Sequence, residues 1–115
     1  MSDRFLEFAA EVIKLSNLLK TSYEGKHIFG QLFRSASSCG ANYAESHAAQ
    51  STKDFIHKRE LVLKELRESL FWLQLIVKAN LIEGTNALMI SLKKENEELI
   101  KIISKSVSTT KQKLK

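Results

Sequence analysis

No proline occurs anywhere in these 115 residues, and glycine occurs only four times. Nothing in such a chain forces a helix to stop, and its commonest residues, Leu, Glu, Lys, Ala and Ser, favour helix over sheet. The apolar residues recur at steps of three and four, the period of a helix with one buried face. The expected fold is all-α: an up-down-up-down antiparallel four-helix bundle. At this length the chain is expected to form a single domain, 1–115, with a basic tail at 110–115 that frays.

The first helix is expected from Asp3, as its cap, to about Lys20, with Phe5, Phe8, Val12, Leu15 and Leu19 inward. Thr21 to Lys26 reads as a loop turning at Gly25. The second helix covers roughly His27 to Gln50, burying Ile28, Leu32, Ser35, Cys39 and Tyr43. Ser51-Thr52-Lys53-Asp54 has capping-box spacing and opens a third helix running to about Ala79, with Phe55, Val62, Leu66, Leu70, Leu73 and Val77 on one stripe. Asn80 suits a left-handed cap. Thr85 or Asn86 then caps a fourth helix, whose Leu88, Leu92, Leu99, Ile102 and Ser106 face inward as far as Thr109.

Within the second helix, Ala36, Gly40, Ala44 and Ala48 recur every four residues, a shallow ridge that another backbone can approach closely. Arg34, Ser38, Asn42 and Glu45 form a polar line on the outside of the hairpin. A short turn at 50–52 makes the second and third helices antiparallel, with facing positions summing to about 102. That register pairs Arg34 with Glu68, Ser38 with Lys64, and Glu45 with His57 or Lys58. Opposite charges meet at both ends, although exposed pairs contribute only about 0 to 1 kcal/mol each.

The third helix has a further peculiarity. Phe71, Trp72 and Leu75 point outside its stripe, so it is apolar nearly all round from Leu70 to Val77, and Phe29 and Phe33 on the second helix add to the excess. A lone bundle keeps one face of each helix wet. The simplest resolution is a second buried surface, made with another copy of the chain. Trp72, with Lys64, Glu65 and Glu68 of the third helix beside Arg34, Ser38, Asn42 and Glu45 of the second, has the composition of an interface centre with a polar rim.

The net charge of +5 is unevenly placed: residues 1 to 100 carry 13 basic and 13 acidic side chains. The whole excess is Lys101, Lys105, Lys111, Lys113 and Lys115. These are candidates for nucleic-acid contact, the alternative being a solubilising helix end that complements the dipole. The single cysteine excludes an internal disulfide, and no apolar run approaches the length of a membrane span, so a cytoplasmic protein without membrane contact is expected.

The usual catalytic patterns are missing from the sequence. One Glu-x-x-His occurs, Glu24 to His27, where a di-iron bundle needs two. His47 and His57, with Glu45 and Asp54, make a conceivable surface metal site that lacks a third ligand of firm geometry. Cys39 and His47 are separated by about 12 Å of helix, too far for a thiolate and its base. Phosphate loops and nucleophile elbows are absent. No enzyme, cofactor, metal or small-molecule substrate is expected.

The segment Gln31-Leu32-x-Arg34-Ser35-Ala36-x-Ser38-x-x-Ala41-Asn42-x-Ala44-Glu45, then Asp54-Phe55, then Leu63-Lys64-Glu65-x-x-Glu68-Ser69-x-x-Trp72-Leu73, resembles the bacterial 23S ribosomal RNA intervening-sequence proteins. The likeness extends over roughly residues 5 to 105. Related accessory proteins of diversity-generating retroelements share the fold. Many relatives place a proline where this chain has Gly40 and a glycine where it has Ser46. The resemblance implies a ring-shaped homopentamer and contact with RNA or a nucleoprotein. The alternatives are a protein–protein adaptor with no nucleic-acid role and a metal- or small-molecule-binding bundle.

Overall fold

The computed structural model describes residues 1–19 and 21–114. Four helices account for most of them: α1 at Ser2–Leu15, α2 at Tyr23–Ser46, α3 at Thr52–Lys78 and α4 at Ala87–Lys113, with a 3-10 turn at Ser16–Leu18. No strand occurs among the described residues. α2 packs along α3, α3 along α4, and α1 lies against α2 and α4. Short connections between antiparallel neighbours make this an up-down-up-down four-helix bundle. α3 and α4, each about 40 Å long at 1.5 Å per residue, set the long axis of a 49 × 21 × 21 Å body.

The helix ends follow local chemistry, which in places differs from the expected boundaries. α1 is capped at Met1 without a side-chain bond, and Asp3 lies inside its first turn, where it complements the dipole. The helix stops at Leu15 because the Ser16 hydroxyl donates to Ile13 O at 2.6 Å, drawing the chain into the 3-10 turn. Lys20, the expected end, lies outside the described residues.

α2 starts at Tyr23, earlier than expected, because Ser22 Oγ accepts from Gly25 N at 3.0 Å. Gly25 is therefore a buried first-turn residue of a helix, not a turning point. At the far end α2 stops at Ser46 instead of continuing to Gln50. Ser51 caps α3 through Asp54 N at 3.1 Å, while the Asp54 carboxylate accepts from Gln50 N at 3.3 Å. Asn80, with φ of 60°, closes α3: its N–H donates to Val77 O and the Leu81 N–H to Ile76 O, both at 3.0 Å. That pair of bonds is a Schellman motif. Asn86 caps α4 through Met89 N, and α4 continues beyond Thr109 to Lys113.

The core contains Phe5, Phe8, Val12 and Leu15 of α1 and Ile28, Leu32, Cys39 and Tyr43 of α2, on the faces their spacing predicts. α3 and α4 are rotated slightly from expectation. Ile56, Leu63 and Ile76 are buried, while Phe55, Leu70 and Val77 are half-buried; on α4, Met89, Ile103 and Val107 replace Leu88, Ile102 and Ser106 as the deepest residues. α3 is covered on two flanks, by α2 and α4, so its buried arc is broader than one stripe.

Trp72 and Leu75 are the larger correction. Both are half-buried against the core of their own chain, and of the three only Phe71 is exposed. The small-residue ridge is likewise used over half its length. Ala36 is buried, and a Cβ on Gly40 would stand 3.2 Å from Phe5 Cβ, so the missing side chain permits close contact with α1. Ala44 and Ala48 are exposed, because α1 is short and begins beside Tyr43, where the Phe5 and Tyr43 ring centroids lie 4.8 Å apart with the planes tilted by 30°.

Candidate functional site

The antiparallel register of α2 and α3 brings the polar edge together. Arg34 donates from Nη1 to Glu65 Oε2 at 3.2 Å and from Nη2 to Glu68 Oε2. Glu68 Oε2 also accepts from Trp72 Nε1 at 3.2 Å. Burial raises the Glu68 carboxyl, but Trp72 and Arg34 outweigh it and hold the group below the usual carboxylate range. The hydrogen bond to Glu68 raises the Arg34 guanidinium correspondingly. This network fixes the indole edge-on to Phe71 at 5.0 Å and to His27 at 6.3 Å.

Not every predicted edge residue joins it. Ser38 donates to Arg34 O at 2.7 Å and Asn42 Nδ2 to Ser38 O at 3.1 Å, both within their own helix, and Ser38 does not meet Lys64. Glu45 pairs with Lys58 at 3.1 Å, away from the tryptophan. Arg34, Glu65, Glu68, Phe71 and Trp72 thus form one cluster, with Leu75 beside it. A groove of about 310 Å³ continues from Trp72 and Leu75 to Tyr23, Glu24, His27 and Ile28.

Below this edge the α2–α3 seam is polar. Ser35 Oγ and Ser69 Oγ lie 2.8 Å apart, fully buried, and Cys39 Sγ donates to Ser35 O at 3.2 Å. Burial pushes the Cys39 thiol up to about 12, so the side chain is a small core residue and not a nucleophile. Asn96 of α4, also fully buried, donates to Leu66 O at 3.0 Å and accepts from Leu70 N at 3.2 Å when its amide is oriented to satisfy both.

Neither histidine reading assembles into a centre. Glu24 and His27 are exposed on the first turns of α2, His47 lies edge-on to Tyr43 at 4.8 Å, and Asp54 is engaged by Gln50 N. Among the described residues no group of three or more His, Cys, Asp or Glu side chains is placed to hold a metal ion. Likewise, none of the described helices is long and apolar enough to cross a membrane.

The C-terminal lysines sit on α4 itself. Lys101, Lys105, Lys111 and Lys113 are exposed, and Lys111 pairs with Glu60 at 3.2 Å. At a hundred degrees per residue Lys101 and Lys105 share the outer face while Lys113 points elsewhere. Lys115 lies outside the described residues.

Arg59 escaped the reading by periodicity. It is buried, with Nε donating to Ser46 Oγ at 2.8 Å and Nη1 to Ser106 Oγ at 2.7 Å. The available signal was a charged residue three and seven positions before Val62 and Leu66, inside the apolar stripe of α3.

The family model for 23S rRNA-intervening sequence proteins matches residues 2–105. The chain belongs to that family. A crystal structure of a protein of unknown function from the S23 ribosomal protein family of Bacteroides thetaiotaomicron VPI-5482 resembles this member with a TM-score of 0.82 and 32% identity, over 92% of this chain and 96% of that one. No curated protein matches. The family and its solved relative indicate no enzyme class.

Proposed function

We propose that this family member is a non-enzymatic scaffold that assembles into a homo-oligomer, a ring of five, and presents basic surface to RNA or a nucleoprotein. The observation that carries the assembly is Phe71, 55% exposed beside the ordered Arg34–Glu68–Trp72 network. An apolar ring next to a tryptophan held by charged partners is the make-up of an interface centre. Closing a ring needs two different surfaces on each copy. Leu6 and Ile13, on the side of α1 opposite Arg4, and Phe33 of α2 are also exposed and supply a second apolar patch.

RNA contact is supported by the family name and by the exposed Lys101, Lys105 and Lys113, which a ring would repeat around its circumference. α4 carries buried Ile103 and Val107, so removing the tail would damage the core. The suitable test replaces Lys101, Lys105 and Lys113 with Gln and measures binding of structured RNA across salt concentration. Affinity that falls with salt in the wild type, and falls less steeply in the variant, supports phosphate contact. Salt-independent binding, or no binding, would leave the protein–protein adaptor. The pairing of Lys111 with Glu60 and the divergent direction of Lys113 favour that second reading.

A further inference from the structure

Lys64, Arg67, Phe71, Gln74 and Lys78 recur along α3 at steps of three and four, and all five are exposed. They form the outward edge of that helix. Lys64, Arg67 and Lys78 make no ion pair among the described residues. The exposed ring of Phe71 thus stands in a line of free cations.

Elsewhere on the molecule, α1 and α4 leave between them a groove of about 600 Å³. Phe8 and Leu92, both buried, give it an apolar floor, and Glu7, Glu11, Glu95 and Glu98 line its walls. Arg4 is committed to Glu95 and Lys14 to Glu11. Glu7 and Glu98 are in no ion pair among the described residues, and Lys94 is the other cation lining the groove. α1 packs against α2 and α4, and α3 against the same two, so α1 and α3 occupy opposite corners of the bundle. Edge and groove therefore face different ways, as a head-to-tail contact between copies requires.

The two surfaces also lie at one height along the bundle. Arg59 meets Ser106, and Asn96 meets Leu66 O and Leu70 N, so facing positions on α3 and α4 sum to about 164. Phe71 is then level with about residue 93 of α4, beside Leu92, and Arg67 with about residue 97, beside Glu98. Copies in a closed ring are related by rotation without a rise. With the ring axis along the bundle, rotation alone brings Phe71 of one copy to the height of the Phe8–Leu92 floor of the next, and Arg67 to that of Glu98.

We infer that the groove between α1 and α4 receives the α3 edge of a second copy, with Phe71 on Phe8 and Leu92, Arg67 against Glu98, and the flanking lysines in the field of the remaining acids. The inference rests on the proposed assembly and assigns the surface that takes Phe71. The exposed Leu6, Ile13 and Phe33 match that ring in polarity; the groove answers both the ring and the cations beside it.

Charge reversal tests the contact. Arg67 and Glu98 are exposed and outside every ion pair among the described residues, so Arg67→Glu and Glu98→Arg should keep the helical content of the wild type by circular dichroism. In sedimentation of the full chain at roughly micromolar concentration, each single reversal should weaken association at least about tenfold. The double variant restores opposite charges across every contact and should recover most of that loss. Larger species that the single reversals leave unchanged, or a double variant no tighter than either single one, would overturn the groove while the assembly stands. A wild-type mass of one chain would overturn both.

Discussion

Glu68 Oε2 of α3 accepts from Arg34 Nη2 of α2 and, through the same atom, from the indole Nε1 of Trp72. One carboxylate oxygen thereby joins the two central helices and orients the aromatic group beside the exposed Phe71. The proposed assembly on this face uses an indole whose position is fixed within the single chain, so little side-chain entropy is lost on association.

Glu68→Gln is expected to lower stability by about 1 kcal/mol, since the pair is partly exposed and the amide retains some hydrogen bonding. The Glu68 carboxyl is held below its usual range, so its contribution is full above the ordinary carboxylate pKa and is lost as pH falls through the lowered one. Thermal unfolding should show the wild type losing its advantage over Glu68→Gln as pH falls below the ordinary carboxylate range. An advantage unchanged by acid would contradict the assignment.

Asn80 gives a cleaner backbone prediction, because it is the one described non-glycine residue with positive φ. Asn80→Gly should stabilise the bundle slightly, or leave it unchanged, as a freer backbone offsets relief of the left-handed conformation. Asn80→Ala should cost about 1 kcal/mol. Urea unfolding of the two variants would read the difference, and equal midpoints would argue against a strained cap.

The fold was legible in the sequence because most helix signals were local. Ser51, Asn80 and Asn86 cap where their spacing places them, and the core faces of α1 and α2 follow their period. Errors arose where a side chain intervened: Ser22 began α2 early and Ser16 ended α1 early. Of the edge, the Arg34–Glu68 and Glu45–Lys58 pairs followed from the register alone. The half-burial of Trp72 and Leu75 did not, because a periodicity plot assigns each helix one buried direction while α3 has neighbours on two sides. Arg59 and Asn96 were invisible for a related reason: a polar residue in an apolar stripe acquires its partners from helices far away in sequence.

Arg59 separates charge from packing. Arg59→Ala should destabilise by about 2 to 3 kcal/mol, by removing the stem that fills the space between Tyr43 and Phe55. Arg59→Met, which retains most of that volume and removes a buried charge, should fall within about 1 kcal/mol of wild type. Chemical denaturation would distinguish them; equal losses would mean that the charge, not the stem, stabilises this end.

Cys39 reports on opening of the core. With its thiol pushed up to about 12 and fully buried, it should resist alkylation at neutral pH in the folded protein and react at the rate of global unfolding. Rapid labelling under native conditions would show that the α2–α3 seam opens locally.

The most direct test of the assembly is sedimentation equilibrium of the wild type at roughly micromolar concentration, a range in which interfaces of standard size are populated. The expected mass is that of five 13.1 kDa chains, falling toward that of a single chain in Phe71→Glu with the helical content unchanged. A wild-type mass of one chain across that range would contradict the scaffold.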